Sequence, residues 1–372
     1  MSDTCDPSTY TSAPIKGSGP AVIILPGNPA DEGAPRMLCD TLSEEGYLAL
    51  APMGQNASPG TLSALIDLAH GHTAHLGGTG MVAFSNDALT AWDCAGRNHV
   101  DCAVIYGDSA FISQIGNDEI PSNPVTLHLS GDVTDDALAM LRRRAETHQN
   151  FKIFAYADAA TGFAQRGNAG HDPQLDSIAY SRTIGALKRA MGPHYNLEEL
   201  WDFHIACEFR DKDAGAAMRT MVPEPYVNHV PTLTGGVGFA MLKRFYSDHF
   251  VTKIPSDRRS IPISQTVGQD RLVDEKIFCF THDCEIDWLL PGVTPTGKYV
   301  EIPLVGIISF RGDKLVNEHL YWDQASVLVQ IGLLDPAGLP VSGREQAQKL
   351  LDPSRPSNDM MPGWARSDSH PA

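Results

Sequence analysis

The chain has 372 residues, of which 42% are hydrophobic and 20% are charged, a composition typical of folded globular proteins. Lysine and arginine total 28 against 45 aspartates and glutamates, which gives a formal net charge of −17. Such a surface repels phosphate backbones and anionic lipid, so we expect neither a nucleic-acid partner nor a membrane partner. The length favours two domains, because single domains rarely exceed about 250–300 residues.

The apolar runs and the cysteines indicate the cellular compartment in which we expect the protein. No stretch of about 18 apolar residues is present, and residues 1–20 lack the basic start and apolar centre of a secretory signal. The 7 cysteines are scattered without a CxxC pair, so we expect neither a disulfide framework nor a structural zinc site. These features favour a cytoplasmic protein.

Short apolar runs alternate with helical patterns from residue 20 to about residue 193. The runs predict strands at residues 21–25, 47–51, 81–84, 102–106, 125–129 and 152–156. The segments between them predict helices at residues 35–45, 62–70, 87–95, 135–147 and 172–191. Nearly continuous apolar strands alternating with helices predict a parallel sheet covered on both faces, in a domain of residues 1–193.

The pattern changes after Gly192 and Pro193, two residue types that end helices. Helical patterns at residues 196–209, 214–220 and 238–249 precede strand patterns at residues 264–268, 271–282, 298–310 and 314–323. This order predicts an α+β domain with an antiparallel sheet over residues 194–335. Residues 336–372 are rich in proline, serine and polar residues, which predicts a surface-hugging or mobile tail.

The segment EEGYLALAP at residues 44–52 resembles a signature of the dienelactone hydrolase family, and the resemblance extends over about residues 20–192. These proteins are α/β-hydrolases whose nucleophile lies on a strained turn between a strand and a helix. At the matching turn Ser85 takes the place of the family's cysteine, and Asp87 stands where the turn normally has glycine. The family's acid position matches Asp132, and its histidine position holds Thr161.

This resemblance implies a hydrolase site without its base, because a threonine does not accept and return a proton near neutral pH. His171 is an alternative base from ten residues downstream, and helix capping is an alternative role for Ser85 or Asp87. We therefore expect Ser85, Asp132 and Thr161 to form a vestigial site, and Ser85 to be dispensable.

The order of motifs in the second half resembles the SnoaL-like polyketide cyclases. The motifs are FTH at residues 280–282, PTGK at residues 295–298, FRGDKL at residues 310–315 and QIG at residues 330–332. The resemblance implies a nuclear transport factor two-like fold, a curved sheet wrapped on helices around one deep pocket. In that family an aspartate before the final helix is the acid/base, and Asp323 matches it. Function is diverse on this fold, so the fold alone assigns no reaction.

Residue alternation along residues 314–323 gives a separate indication of a polar pocket. Asn317, His319, Tyr321 and Asp323 share one face of the predicted strand. Such a face suits a ligand pocket, and the alternative is that it meets solvent. His319 and Asp323 would lie about 13 Å apart at roughly 3.3 Å per residue, so they would act on different parts of a ligand.

Four residues are predicted to be catalytic, with Asp323 as the principal acid/base: Asp323, His282, His229 and His319. A structural histidine is the alternative both for His282, on a predicted central strand, and for His229, in a predicted loop at the pocket mouth. The predicted substrate-binding residues are Tyr321, Glu301, Asp287 and Trp288.

The sequence thus predicts a cyclase or isomerase whose C-terminal pocket binds a small hydrophobic oxygenated carbonyl compound. No phosphate loop or dinucleotide fingerprint is present, and we expect no metal and no cofactor. The alternatives are a Ser85-dependent lactone or ester hydrolase and a non-catalytic ligand-binding protein. Apolar residues on both faces of residues 298–310 predict a homodimer through the C-terminal sheet, unless the N-terminal domain covers that face.

Overall fold

A computed structural model describes residues 8–28, 30, 32–54, 57–97, 99–116 and 118–367. The chain divides into two compact units between Tyr195 and Asn196. Each unit has its own sheet, and no described strand belongs to both. No helix in the described ranges is both long and apolar enough to cross a bilayer.

The first unit is built on a seven-stranded sheet. Its strands are β1 (Thr9–Ser12), β2 (Gly19–Leu25), β3 (Leu48–Pro52), β4 (His75–Phe84), β5 (Cys102–Gly107), β6 (Val125–Leu129) and β7 (Phe151–Ala155). Its helices are α1 (Gly33–Glu44), α2 (Pro59–Gly71), α3 (Ala88–Gly96), α4 (Ser109–Ile115), α5 (Asp135–Ala145) and α6 (Pro173–Met191). The strand order is β1-β3-β2-β4-β5-β6-β7, with β2–β7 parallel and β1 antiparallel to β3.

Burial on both faces explains why these strands are nearly all apolar. Every residue of β2 is buried, and the same is true of β3, β5 and β6. Within β2, Ile23 and Leu25 pack in one apolar layer, whereas Val22 and Ile24 pack in the layer on the opposite face. The predicted parallel sheet with flanking helices is therefore confirmed.

The second unit is built on a six-stranded sheet. Its strands are β8 (Met221–His229), β9 (Thr234–Val237), β10 (Arg259–Val267), β11 (Arg271–Thr281), β12 (Tyr299–Arg311) and β13 (Lys314–Trp322). Its helices are α7 (Leu197–Ile205), α8 (Ala214–Arg219), α9 (Phe239–Arg244), α10 (Gln324–Gln330), α11 (Glu345–Leu351) and α12 (Trp364–Ser367). The strand order is β10-β11-β12-β13-β8-β9, and among the described strand pairs of this second sheet only β13–β8 is parallel.

Strand β8 corrects one expectation, because His229 is its last residue rather than part of a loop. Pro223 and Pro225 conceal this strand in the sequence, since proline cannot donate a ladder hydrogen bond. The register between β13 and β8 shifts between Leu315 and Asn317, where the two prolines lie opposite. The structure accommodates them as an irregularity within the pairing.

The far side of the second sheet is partly covered by the C-terminal segment. Helix α11 brings the buried side chain of Ala347 against Ile277 and Cys279 of β11. This part of the tail therefore packs on the surface of the unit. Val305 and Ile307 of β12 remain half-buried, and the homodimer through this sheet stays a prediction.

Candidate functional site

A cavity lies between the second sheet and two helical segments, which are α7 with its π-helical continuation and the π-helical turn Phe245–Phe250 after α9. It encloses about 530 Å³, counting the part that is open to solvent. Most of its wall is apolar and includes Trp201, Phe250, Phe278, Trp288, Leu304 and Leu320. Flat aromatic walls with a few polar groups are typical of sites that bind small organic molecules.

Ionisable groups meet at one end of this cavity. The Nε2 atom of His204 lies 3.1 Å from Oε1 of Glu208 and 3.1 Å from Oε1 of Glu318. The hydroxyl of Tyr246 donates to Oε1 of Glu318 at 3.3 Å. All four side chains are buried, and Glu208, Glu318 and Tyr246 line the cavity. We call these four residues the acid/base cluster.

A neighbouring threonine fixes the orientation of the His204 ring. The hydroxyl of Thr220 donates its proton to the carbonyl oxygen of Ala217 at 2.7 Å. Its oxygen lies 2.6 Å from Nδ1 of His204 and must therefore accept a hydrogen bond from that nitrogen. Nδ1 thus carries a proton, and Nε2 is the atom that exchanges a proton with the two glutamates.

Burial and the neighbouring charges shift the pKa values of His204 and Glu208 in the acid/base cluster. Burial disfavours the charged imidazolium, but Glu208 and Glu318 outweigh it and raise the pKa of His204 to about 10. Burial raises the pKa of Glu208, against the lowering effect of His204. The imidazolium of His204 is therefore favoured beside these two acidic side chains, and burial favours the protonated form of Glu208.

Local sequence explains how these groups meet. Asn196 caps α7 by accepting a hydrogen bond from the backbone N–H of Glu199. The helix continues through the π-helical turn Ala206–Arg210, which places His204 and Glu208 on one face. Our sequence interpretation missed them, although Trp201, His204 and Glu208 lie at helical spacing on the predicted helix of residues 196–209. A histidine and a glutamate within such an apolar stripe are a usable signal.

The same three side chains are of the types that hold divalent metals. Their candidate ligand atoms, one from each of His204, Glu208 and Glu318, all lie within 4.8 Å of one another. The direct hydrogen bonds described above already join these atoms. In this structure the three side chains can therefore exchange protons with one another directly.

Two predicted site residues lie in the cavity wall, His229 and Trp288. Nδ1 of His229 lies 3.1 Å from the hydroxyl of Thr234, which itself donates to the carbonyl oxygen of Trp288. Burial lowers the pKa of His229 to about 4, so the ring is neutral and Nε2 is its acceptor nitrogen. The indole N–H of Trp288 is buried and has no hydrogen-bond partner among the described residues.

Asp323 is not part of the cavity wall. Its Oδ1 accepts hydrogen bonds from the backbone N–H groups of Ala325 and Ser326, which makes it the N-cap of α10. Its Oδ2 accepts one from Nε2 of Gln346 at 2.5 Å. The geometry gives Asp323 the capping role and does not support its prediction as the principal acid/base.

The strand-face prediction for β13 is wrong. Glu318 and Leu320 line the cavity, whereas His319 packs edge-on against Tyr226 and Tyr321 is 40% exposed. Glu318 lies on the inner face, where its Oε1 is 3.1 Å from Nε2 of His204. The polar face carrying Asn317, His319 and Tyr321 is the one turned away, which was the alternative left open by the sequence.

The other predicted residues of this unit also lie outside the cavity wall. His282 is fully buried, its Nδ1 lies 3.2 Å from the Thr296 hydroxyl, and burial lowers its pKa. Glu301 forms ion pairs with Arg259 at 3.7 Å and Arg344 at 3.9 Å. The carboxylate of Asp287 pairs with Nδ1 of His249 at 3.0 Å. These contacts give the three residues structural partners.

A smaller cavity in the first unit contains the predicted hydrolase elements. Ser85 lies between β4 and α3 with φ of 42°, a backbone conformation that is strained for any residue other than glycine. Ser85 and Thr161 both line this cavity, which encloses about 240 Å³ including its open part. The strained turn that the resemblance implies is thus present.

The histidine that lines this cavity and the predicted acid Asp132 both have other hydrogen-bond partners. His128 lines the same cavity, but its two nitrogens face the Tyr156 hydroxyl at 2.8 Å and the Thr183 hydroxyl at 3.3 Å, and burial lowers its pKa to about 3. The Asp132 carboxylate accepts hydrogen bonds from Ser109 and Ser130.

Two further groups bear on the hydrolase alternative. His171, the alternative base, pairs with Asp176 at 3.0 Å. The backbone N–H of Gly27 donates to the Asp87 carboxylate at 2.8 Å, so Asp87 occupies a donor beside the Ser85 turn. In the described part of the chain, the Ser85 hydroxyl has no hydrogen-bond partner that could activate it.

Comparison with known proteins finds similarity at the level of solved structures. No family model and no curated protein matches the chain. A structure described as a dienelactone hydrolase from Klebsiella pneumoniae matches with 17% identity over 47% of this chain and 90% of that chain, with a TM-score of 0.38. A SnoaL-like polyketide cyclase from Jannaschia matches with 16% identity over 39% of this chain and 99% of that chain, with a TM-score of 0.29.

A polyketide cyclase from Acidithiobacillus ferrooxidans matches with 18% identity over 36% of this chain and 92% of that chain, with a TM-score of 0.31. Both kinds of protein that the sequence resembles are thus found among the matched structures. The functional assignment depends on the side-chain geometry described above.

Proposed function

We propose that the second unit is a cofactor-free acid/base enzyme of the cyclase or isomerase type, built as a nuclear transport factor two-like cone. Its substrate is a small hydrophobic carbonyl compound that binds between the aromatic walls of the cavity. The first unit keeps an α/β-hydrolase frame without its reaction. The observation that carries this proposal is the buried acid/base cluster on the wall of an otherwise apolar cavity.

The cluster supplies both groups that enolisation requires. The Glu318 carboxylate takes a proton from the carbon next to the substrate carbonyl. The electron pair of that C–H bond forms a C=C bond, and the π pair of the C=O bond moves to the carbonyl oxygen. The neutral carboxyl of Glu208 or the hydroxyl of Tyr246 donates a proton or a hydrogen bond to that oxygen. In a substrate with a conjugated C=C bond, return of the proton to a different carbon of the dienolate isomerises it. In a substrate with a second carbonyl, attack by the enolate carbon on that carbonyl carbon closes a ring, and the oxygen of the broken C=O π bond takes the proton.

His204 is a positioning residue in this scheme, because Glu208, Glu318 and Tyr246 line the cavity and His204 lies behind them. A positive charge on His204 offsets the cost of a carboxylate in the apolar cavity wall, where a carboxylate alone would be costly. Nε2 also lies 3.1 Å from both glutamates, so it can pass a proton between them after each turnover. His229 offers a neutral acceptor nitrogen for a substrate hydroxyl.

The proposal can be tested without knowing the natural substrate. Wild-type protein is incubated in heavy water with a panel of enolisable bicyclic ketones such as 1-tetralone, and loss of the α-proton signals is followed by NMR. The same preparation is assayed for hydrolysis of p-nitrophenyl acetate. Ser85→Ala is the matched variant for the first unit.

Enzyme-catalysed exchange that survives Ser85→Ala supports the acid/base assignment. Ester hydrolysis that disappears in Ser85→Ala, together with no exchange on any ketone, supports the serine hydrolase instead. Tight binding of the ketones without exchange supports a ligand-binding protein. Loss of exchange after metal removal, regained with added divalent metal, assigns the acid/base cluster to a metal site.

A further inference from the structure

The cavity contains a second charged group besides the acid/base cluster, the guanidinium of Arg258. This residue immediately precedes β10 and lines the cavity together with Glu208 and Phe278. Its guanidinium carbon lies 3.9 Å from the ring centroid of Phe209 and 5.9 Å from that of Phe278. Stacking on the Phe209 ring holds the planar group in a defined orientation.

Among the described residues, Arg258 differs from nearby cations in having no carboxylate within ion-pair distance, and Glu208 is an acidic group that acts on it from farther away. Lys276 also lines the cavity, but its ammonium pairs with Asp274 at 2.6 Å. The next residue, Arg259, reaches Glu301 at 3.7 Å and the Tyr299 hydroxyl at 3.0 Å. Within the described ranges no carboxylate lies within 4.0 Å of the Arg258 guanidinium, and its Nε is buried without a hydrogen-bond partner.

An unpartnered N–H in a cavity wall costs free energy unless a ligand satisfies it. The guanidinium presents its N–H groups in a planar fork, which matches the two oxygens of a carboxylate. Since no carboxylate of the described residues lies within 4.0 Å of the guanidinium, an anionic group on the ligand would supply both the missing hydrogen-bond acceptor and the opposite charge.

We propose that the substrate of this cavity is an apolar ring compound bearing a carboxylate, and that Arg258 binds this carboxylate. The flat walls of Trp201, Phe278 and Trp288 suit the ring system, and the anion at Arg258 orients the molecule. The carboxylate avoids Glu318, which leaves the carbonyl end of the substrate for the acid/base cluster. The substrate class rests on the proposed function, whereas binding of the anion does not.

The experiment compares two probes of equal size, 2-naphthoate and its neutral analogue 2-naphthamide. Their dissociation constants are measured by titration calorimetry on the full chain at pH 7.5, where the carboxylate is ionised. The variants are Arg258→Met and Arg258→Lys, with Arg259→Met as the matched control because that neighbour is exposed and paired elsewhere. Circular dichroism verifies that each variant is folded.

Wild-type protein and Arg259→Met should bind 2-naphthoate on the order of 10- to 100-fold tighter than 2-naphthamide, the usual advantage of a charge-assisted hydrogen-bonded pair. Arg258→Met should abolish this preference, and Arg258→Lys should keep only part of it. Equal affinities in the wild type, an unchanged preference in Arg258→Met, or no binding of either probe at 1 mM would overturn the proposal. If Arg258→Met does not fold, the partial loss in Arg258→Lys decides.

Glu318→Gln separates this inference from the proposed function. That variant should keep the preference for 2-naphthoate while losing α-proton exchange. A wild type that shows the preference but catalyses no exchange retains the anion site and loses the enzyme assignment. A wild type that catalyses α-proton exchange but shows no preference for 2-naphthoate retains the enzyme assignment and loses the anion site.

Discussion

Replacing Glu318 by glutamine should destabilise the second unit in a pH-dependent way. The amide keeps the shape of the side chain but removes one of the two acidic groups whose Oε1 atoms lie 3.1 Å from Nε2 of His204. The rise of the His204 pKa from 6.5 to about 10 corresponds to roughly 5 kcal/mol at 1.36 kcal/mol per pKa unit. Both glutamates contribute to that rise, so Glu318→Gln should cost about 2–3 kcal/mol at pH 7.

The sign of the pH dependence follows from the raised pKa. The contribution of the imidazolium is fully present below the unfolded pKa of about 6.5 and is lost as the pH rises through about 10. The difference between wild type and variant should therefore be largest near pH 6–7 and should shrink toward zero near pH 11. Groups common to both proteins titrate equally and cancel in this difference.

Urea unfolding followed by tryptophan fluorescence measures this effect in the right unit, because Trp201, Trp288 and Trp322 are all buried there. Glu301→Gln is the matched control, since Glu301 lies on the same sheet with longer ion pairs nearer the surface. It should change the free energy of unfolding by less than about 1 kcal/mol at either pH. A Glu318→Gln effect that is negligible at pH 7, or equal at pH 7 and pH 11, would refute the ion-pair assignment.

Three further results are expected. Burial holds the pKa of His128 near 3, so its neutral form stabilises the first unit above pH 6.5, and this contribution is lost as the pH falls. His128→Gln should therefore remove roughly 3 kcal/mol of the acid destabilisation that urea melts measure between pH 7 and pH 4. Ser85→Ala should change α-proton exchange by less than about twofold, because an unactivated hydroxyl takes no part in it. Asp323→Ala should lower the stability of the second unit by about 0.5–2 kcal/mol in the same melts, the usual effect of losing an N-cap.

The first sheet could be predicted because its strands are buried on both faces and therefore apolar throughout, as in β2 and β5. The turn at Ser85 could be located because it follows such a strand directly. Strand β8 could not, since Pro223 and Pro225 are typical of loops and only the pairing with β13 makes them part of a strand.

The acid/base site was harder to predict because its interacting residues are far apart in the sequence and meet only in the folded structure. Residue alternation in β13 assigns polar groups to one face, and this more polar face was predicted to line the pocket. Glu318 lies on the other face, where its partner His204 comes from a helix more than 100 residues earlier in the sequence. A buried charge is recognisable only together with its partner, whereas Asp323 had the position of a family residue but the surroundings of a helix cap.

Exchange of the α-protons of 1-tetralone in heavy water, compared between Glu318→Gln and Asp323→Asn, tests the central assignment most directly. Both variants replace a carboxylate by an amide of the same shape, and asparagine still caps a helix. Glu318→Gln should lose a factor of about 10²–10⁴ in the exchange rate, whereas Asp323→Asn should stay within a few fold of the wild type. A large loss in Asp323→Asn with little change in Glu318→Gln would contradict the assignment of the acid/base cluster.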